Sequence, residues 1–170
     1  MIAPPPSWAL ALTFWLHLLA TVTWIGSLAA ISFLVLPAMK RTLSPDVQLA
    51  FIEAMQKRLE PVAWFSMSLL LVTGLFQMSV NPHYDGFLST STQWSLAILT
   101  KHLLGILMVV TSAIQTWEVI PAIRRAIVLS KKIRKSEELD SLRRREVRLL
   151  RINFALSVFI LLATAFARAS

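Results

Sequence analysis

The chain has 170 residues, of which 56% are hydrophobic and only 15% charged, against about 25% charged in an average soluble domain. It contains no cysteine, which removes disulfide frameworks, iron–sulfur clusters, thiolate zinc sites and cysteine nucleophiles together. The net charge of +8 would suit nucleic acid if it were spread over a polar surface, but fifteen of the seventeen Lys and Arg fall in two connections between apolar runs; that is the positive-inside pattern of a membrane protein.

Taken in order, the chain opens Met-Ile-Ala-Pro-Pro-Pro, with no positive region ahead of the first apolar run, so no cleaved secretory signal is expected. Four runs, 8–36, 62–80, 93–120 and 152–167, have the length and apolar content of membrane spans. Between the first two, Ser44-Pro45 reads as an N-cap followed by proline at the first helical position. Val47, Phe51, Ala54 and Met55 then recur at helical spacing, which predicts a short amphipathic helix on the membrane surface, stopped or kinked at Pro61. The 81–92 connection holds Asn81-Pro82-His83-Tyr84-Asp85-Gly86, a turn-rich stretch. His83 and Asp85 there are two cation ligands on one short loop, and a polar turn is the expectation. The 121–151 connection carries eleven Lys and Arg against four Asp and Glu. It reads as a helical hairpin that prolongs two spans and lies against anionic head groups, or that offers a docking surface to a soluble partner. The fourth span is short, and its helix is expected to continue from that basic segment.

These elements predict an all-α protein: a single membrane domain over 1–170, folded as an integral four-helix up-down bundle. Basic connections 37–61 and 121–151 belong on the cytoplasmic side. Both termini and the 81–92 loop then lie outside, with basic helical extensions inside, in an inner or plasma membrane. The expected partners are the lipid bilayer with its anionic head groups and other subunits of a membrane complex, and not nucleic acid.

Polar residues within the spans are costly in lipid and usually face the protein interior. On the first span Thr13, His17, Thr21 and Trp24 share one face. On the third, Trp94, Lys101, Gly105, Met108, Ser112, Gln115 and Glu118 form another stripe, with His102 about 100° round from Lys101. Ser66, Thr73 and Gln77 align on the second span, and Asn153, Ser157 and Thr164 on the fourth. His17 and His102 both lie about 14 Å in from the outer end of their helices at 1.5 Å per residue. The first and third spans are diagonal neighbours in an up-down bundle. His17 and the Lys101/His102 pair are therefore placed to face each other across the axis, as the two ligands of a haem iron do; hydrogen-bonded packing residues are the alternative. Lys101 needs a partner or a wet cavity unless it snorkels outward. Gly26, Gly74 and Gly105 would permit close approach of a ring or another helix.

His17-x6-Trp24-Ile25-Gly26, Leu36-Pro37, Thr73-Gly74, Trp94-x6-Lys101, Asn153-x-Ala-Leu-x-Val and Ala165-x-Ala-Arg168 together resemble the copper-resistance protein D (CopD-like) membrane family, over nearly the whole chain. More distantly, His17 and Lys101 are similar to the first-span His and third-span Lys of HemJ-type membrane protoporphyrinogen oxidases, where they are associated with b-type haem. These resemblances imply a multi-pass membrane protein with haem b between spans 1 and 3 for electron transfer, held by His17 and Lys101 or His102, with Trp24 lining the cofactor. Copper handling, after the family's namesake ligand, is one alternative. A non-catalytic accessory subunit of a respiratory or photosynthetic complex is the other. Met67, Met78 and Met108 lie in spans but form no Met-x-x-Met motif, and they read as packing residues.

The charge distribution fixes a topology that single introduced cysteines test cleanly in a chain without native ones. Asp85→Cys should label with an impermeant maleimide in intact cells, and Ser136→Cys only after lysis. The reverse pattern would overturn the orientation.

Overall fold

A computed structural model describes residues 5–84, 86–130 and 136–169. Its elements in chain order are α1 (Ser7–Ala29), a π-helical turn (Ala30–Val35), α2 (Leu36–Thr42), α3 (Pro45–Ser79), α4 (Gln93–Ile114), a second π-helical turn (Gln115–Val119), α5 (Ile120–Ser130) and α6 (Ser136–Ala169). No strand occurs among the described residues. Four continuous helical runs, Ser7–Met39, Ala50–Ser79, Gln93–Ala126 and Leu139–Ala169, are long and apolar enough to cross a bilayer. Large side chains such as Trp8, Leu18, Val22, Phe65, Leu103 and Phe159 point outward. In lipid such exposure carries no penalty.

The helix ends follow local chemistry. Pro6 takes an extended conformation ahead of α1, and its carbonyl accepts from the Ala9 amide at 3.0 Å. Leu43 breaks to an extended conformation after α2. Ser44 then stands as N-cap with Pro45 at the first turn of α3, as the sequence predicts. Thr92 caps α4 through its hydroxyl, which accepts from the Ser95 amide at 3.1 Å.

A surface helix stopped or kinked at Pro61 was expected; the stop is corrected, because α3 runs 35 residues from Pro45 to Ser79 with Pro61 inside it. Proline removes one ladder bond and strains the preceding turn, at about 3 kcal/mol. Partners on both sides hold the helix: Gln56 donates to Glu146 on α6, and Met67 packs in the central core.

The bundle consists of two helix pairs, α1 on α3 and α4 on α6, joined by lesser contacts of α1 with α6. Trp24, Leu28, Leu36, Met39, Met67, Met108, Leu150 and Leu156 form the common core. The predicted helical hairpin is present where it is described: α5 folds back on α6 around Val119, Ile123 and Leu139. Lys131, Lys132, Arg134 and Lys135, and likewise Asp85 of the 81–92 loop, lie outside the described residues. Arg124–Glu53 at 3.7 Å and Arg145–Glu118 at 2.8 Å link neighbouring helices at this basic end. Both pairs are about half exposed and add little stability.

The α4–α6 pair is clasped by amide chemistry. Asn153 is 1% exposed; its Oδ1 accepts from the Thr111 hydroxyl, and its Nδ2 donates to Ser112 Oγ at 3.0 Å. Asn153→Ala removes both cross-helix bonds and leaves a void, so equilibrium unfolding in mixed micelles should show a loss of about 1–3 kcal/mol. The exposed neighbour change Ile152→Ala should cost clearly less; equal losses would refute the clasp.

Candidate functional site

Three hydroxyl-bearing residues on α1 are satisfied by their own helix: Thr13 Oγ1 donates to Ala9 O, Thr21 Oγ1 to His17 O and Ser27 Oγ to Thr23 O, at 2.6–2.7 Å. His17 is the residue on this face that reaches another helix. Its Nδ1 lies 2.8 Å from Thr73 Oγ1 on α3. The single hydroxyl proton of Thr73 is committed to Leu69 O at 2.5 Å, so Oγ1 meets the ring as an acceptor. His17 Nδ1 therefore carries the proton, and Nε2 keeps its lone pair. A metal-ligating imidazole is held in this way, by a hydrogen bond to the nitrogen that does not bind.

Gly74 completes the cradle. A Cβ on it would meet His17 Cε1 at 3.4 Å, whereas one on Gly26 or Gly105 would meet nothing within 4 Å. Of the three span glycines, only Gly74 lies against a ring. One turn further along α3, Gln77 Nε2 donates to Thr13 O at 3.2 Å, which fixes α1 and α3 in register around the imidazole.

On α4, Lys101 is half-buried, and its charge acts on the His17 ring. Arg168 of α6 acts in turn on Lys101 and lays its guanidinium over the Phe14 ring at 5.5 Å. His17, Lys101 and Arg168 are thus coupled through charge at the end of the bundle away from the basic connections, with no ion pair to a carboxylate among the described residues. His102 points elsewhere. Its Nδ1 donates to Ile98 O at 2.7 Å, and its ring meets Phe87 of the 81–92 loop edge-on at 5.0 Å between centroids. The structure therefore turns His102 toward the 81–92 loop, while Lys101 couples to His17 through its charge. His83 packs near Trp94 and shares its Nδ1 with Asn81 at 3.2 Å.

Trp24 lies two turns deeper than His17, 5% exposed, with no acceptor for its Nε1–H. It lines a cavity of about 100 Å³ to which all four membrane helices contribute, through Trp24, Gln56, Met67, Ser112, Glu146 and Asn153 among others. Residues of both π-helical turns, Ile31 and Gln115, reach it too; such turns recur at functional positions. Glu146 is 6% exposed. Reading the sequence alone leaves this carboxylate among the solvated charges of 121–151. The usable signal is spacing: Glu146 precedes Asn153 by seven residues, two turns, on the same helix face. Among the described residues no three His, Cys, Asp or Glu gather as a metal-binding group.

A family model described as CopD, copper resistance protein D, matches residues 53–167. No curated protein and no solved structure matches the chain. The matched stretch takes in Thr73, Gly74, Lys101, Glu146 and Asn153, and His17 precedes it.

The tautomer argument is testable by NMR on protein labelled with 15N-histidine in micelles, with His83→Gln and His102→Gln for assignment. The His17 ring should show the proton on Nδ1. Thr73→Val removes its acceptor and should give mixed tautomers, with about 1 kcal/mol lost in stability. An Nε2-protonated ring in the unaltered protein would refute the assignment.

Proposed function

The chain belongs to the copper resistance protein D family, and from that premise we propose that this multi-pass membrane protein handles copper as cargo, with His17 as the residue that meets the ion inside the bundle. The observation that carries this reading is the His17–Thr73 hydrogen bond, which leaves an imidazole lone pair on Nε2 within the membrane. Imidazole suits copper, and thioethers suit its reduced form. Met67 and Met55 line the deeper cavity, on the way from His17 to the basic end. The absence of a group of three His, Cys, Asp or Glu among the described residues fits a passing ion better than a resident one. The charge of Lys101 beside His17 weakens retention of a cation, and a carrier must release what it binds. The excess of Lys and Arg in 37–61 and 121–151 supports a cytoplasmic position for both connections in an inner or plasma membrane.

Haem b with electron transfer is the second reading, and the Lys101–Arg168 pair favours it. Two cationic side chains, Lys101 and Arg168, would suit the carboxylates of a porphyrin, with His17 as a nitrogen ligand. Lys101 could instead be the opposing ligand only as the neutral amine, and His102 only by leaving its contacts with Ile98 and Phe87. Haem there would supply one-electron chemistry; the chain's own part is to hold the ring nitrogen in place and to offset anionic charge.

One substitution separates the two readings by the sign of its effect. Protein purified in mild detergent is assayed for Cu(I) by chelator competition and for haem by its Soret absorbance. For copper, His17→Ala and Thr73→Val should each weaken binding about 10–100-fold, and Lys101→Met should tighten it by removing a like charge. For haem, a Soret band is present, and Lys101→Met weakens or shifts it. If neither copper nor haem binds and large subunits co-purify instead, the accessory-subunit alternative replaces both.

A further inference from the structure

A second feature lies at the basic end of α1 and is independent of the His17 site. The π-helical turn Ala30–Val35 changes the register of the helix just before α2. Thr21 and Ser27, earlier on the same helix, donate to the carbonyl four residues back. Ser32, inside the turn, does not: its Oγ is buried without any hydrogen-bond partner. It lines a groove of about 300 Å³ together with Leu36, Pro37, Arg41, Val147 and Arg151.

The chemistry of this groove is one-sided. Two guanidinium groups and one unpartnered hydroxyl donate, and no carboxylate lines it. Neither Arg41 nor Arg151 is ion-paired among the described residues. By contrast, Arg124 and Arg145 each face a glutamate. Forked guanidinium donors match an anion with several oxygens, phosphate above all. The remaining walls, Leu36, Pro37 and Val147, are apolar. Depth supplies the source. Arg151 immediately precedes the apolar run 152–167, and Arg41 follows the run 8–36 by one helical turn and a half. Both therefore stand where hydrocarbon gives way to head groups.

We propose that the groove of Ser32, Arg41 and Arg151 is a phosphate-binding site that takes the head group of an anionic phospholipid, joining the two basic connections through one bound lipid. This goes beyond diffuse attraction of basic loops to a charged surface, because it assigns the contact to two arginines and one serine on different helices. The bound phosphate supplies the acceptor that Ser32 lacks, and its acyl chains continue along the outer faces of α1 and α6.

Native mass spectrometry of the full chain in mild detergent tests the site with phosphatidylglycerol, phosphatidylcholine and inorganic phosphate as probes. Phosphatidylglycerol should be retained in preference to phosphatidylcholine. The Arg41→Gln/Arg151→Gln pair should lower its retention by about tenfold or more. The Lys57→Gln/Arg58→Gln pair, with the same change of charge on α3, should leave it within about twofold, the range expected of a screened surface charge. Ser32→Ala keeps the test valid if the double variant fails to fold. It should weaken lipid retention several-fold while leaving the lipid-free melting temperature unchanged, since it removes a hydroxyl that has no partner. Groove-dependent binding of inorganic phosphate alone supports the site with a soluble anion as its source; groove-dependent binding of phosphatidylglycerol alone supports the lipid. Equal loss in the two double variants, unchanged retention in all variants, or equal retention of phosphatidylcholine would overturn the proposal.

Discussion

A polar side chain in hydrocarbon has no water to turn to, and this bundle is ordered around the partners its polar groups find. Most take the nearest answer. Thr13, Thr21, Ser27, Thr100 and Thr164 each donate to the carbonyl one turn back. Such bonds satisfy the group but position nothing. The residues that reach another helix decide the architecture: His17 to Thr73, Gln77 to the Thr13 carbonyl, Asn153 to Thr111 and Ser112, Gln56 to Glu146. The first two join α1 to α3, the third joins α6 to α4, and the last ties the two pairs together through α3 and α6. Apolar contacts in lipid discriminate weakly between helix partners, because tails are as apolar as leucine. Directional bonds supply the selection.

The same partnering divides the bundle chemically. At the end away from the basic connections His17, Lys101 and Arg168 bring nitrogen groups without a paired carboxylate among the described residues. Toward the basic end the cavity below Trp24 holds the buried carboxylate of Glu146, amides from Gln56 and Asn153, and the thioether of Met67. For the proposed copper cargo, the His17 end offers positive charge and one lone-pair nitrogen, and the cavity offers a thioether and a carboxyl group; for an anionic cofactor the preference would be reversed. This asymmetry is why one substitution at Lys101 separates copper from haem. The π-helical turns on the first and third spans bear on the same region: each contributes a residue to the cavity, and the first also frees Ser32 from the usual bond along its own helix.

Helix identity and number were legible in the sequence because runs of apolar residues interrupted by Lys and Arg admit few other readings. The N-cap at Ser44, the α5–α6 hairpin and the extension of the last span ahead of residue 152 were also legible, since they rest on local chemistry. At Pro61 a local rule allows either a stop or a kink, and only the packing of both halves of α3, through Gln56 and Met67, excludes the stop. Glu146 was hidden by composition. In a segment rich in Lys and Arg a carboxylate reads as a solvated charge until the turn of α6 places it beneath Asn153.

By itself, then, the sequence determined the class of the protein, the four spans and the residues carrying polar chemistry within them, with their positions along each helix. All of these depend on the order of residues along one helix at 1.5 Å per step. Tertiary structure alone decided which of those residues meet. Lys101 and His102 are adjacent on one helix, yet His102 turns toward Phe87 and Ile98 while Lys101 couples to His17 through its charge. Three glycines offered close approach, and only Gly74 received a ring. The reason is rotational: neighbours on a helix diverge by about 100°, and which of them faces the interior is set by how neighbouring helices are turned, through bonds such as His17–Thr73 and Asn153–Ser112 that span 56 and 41 residues of chain.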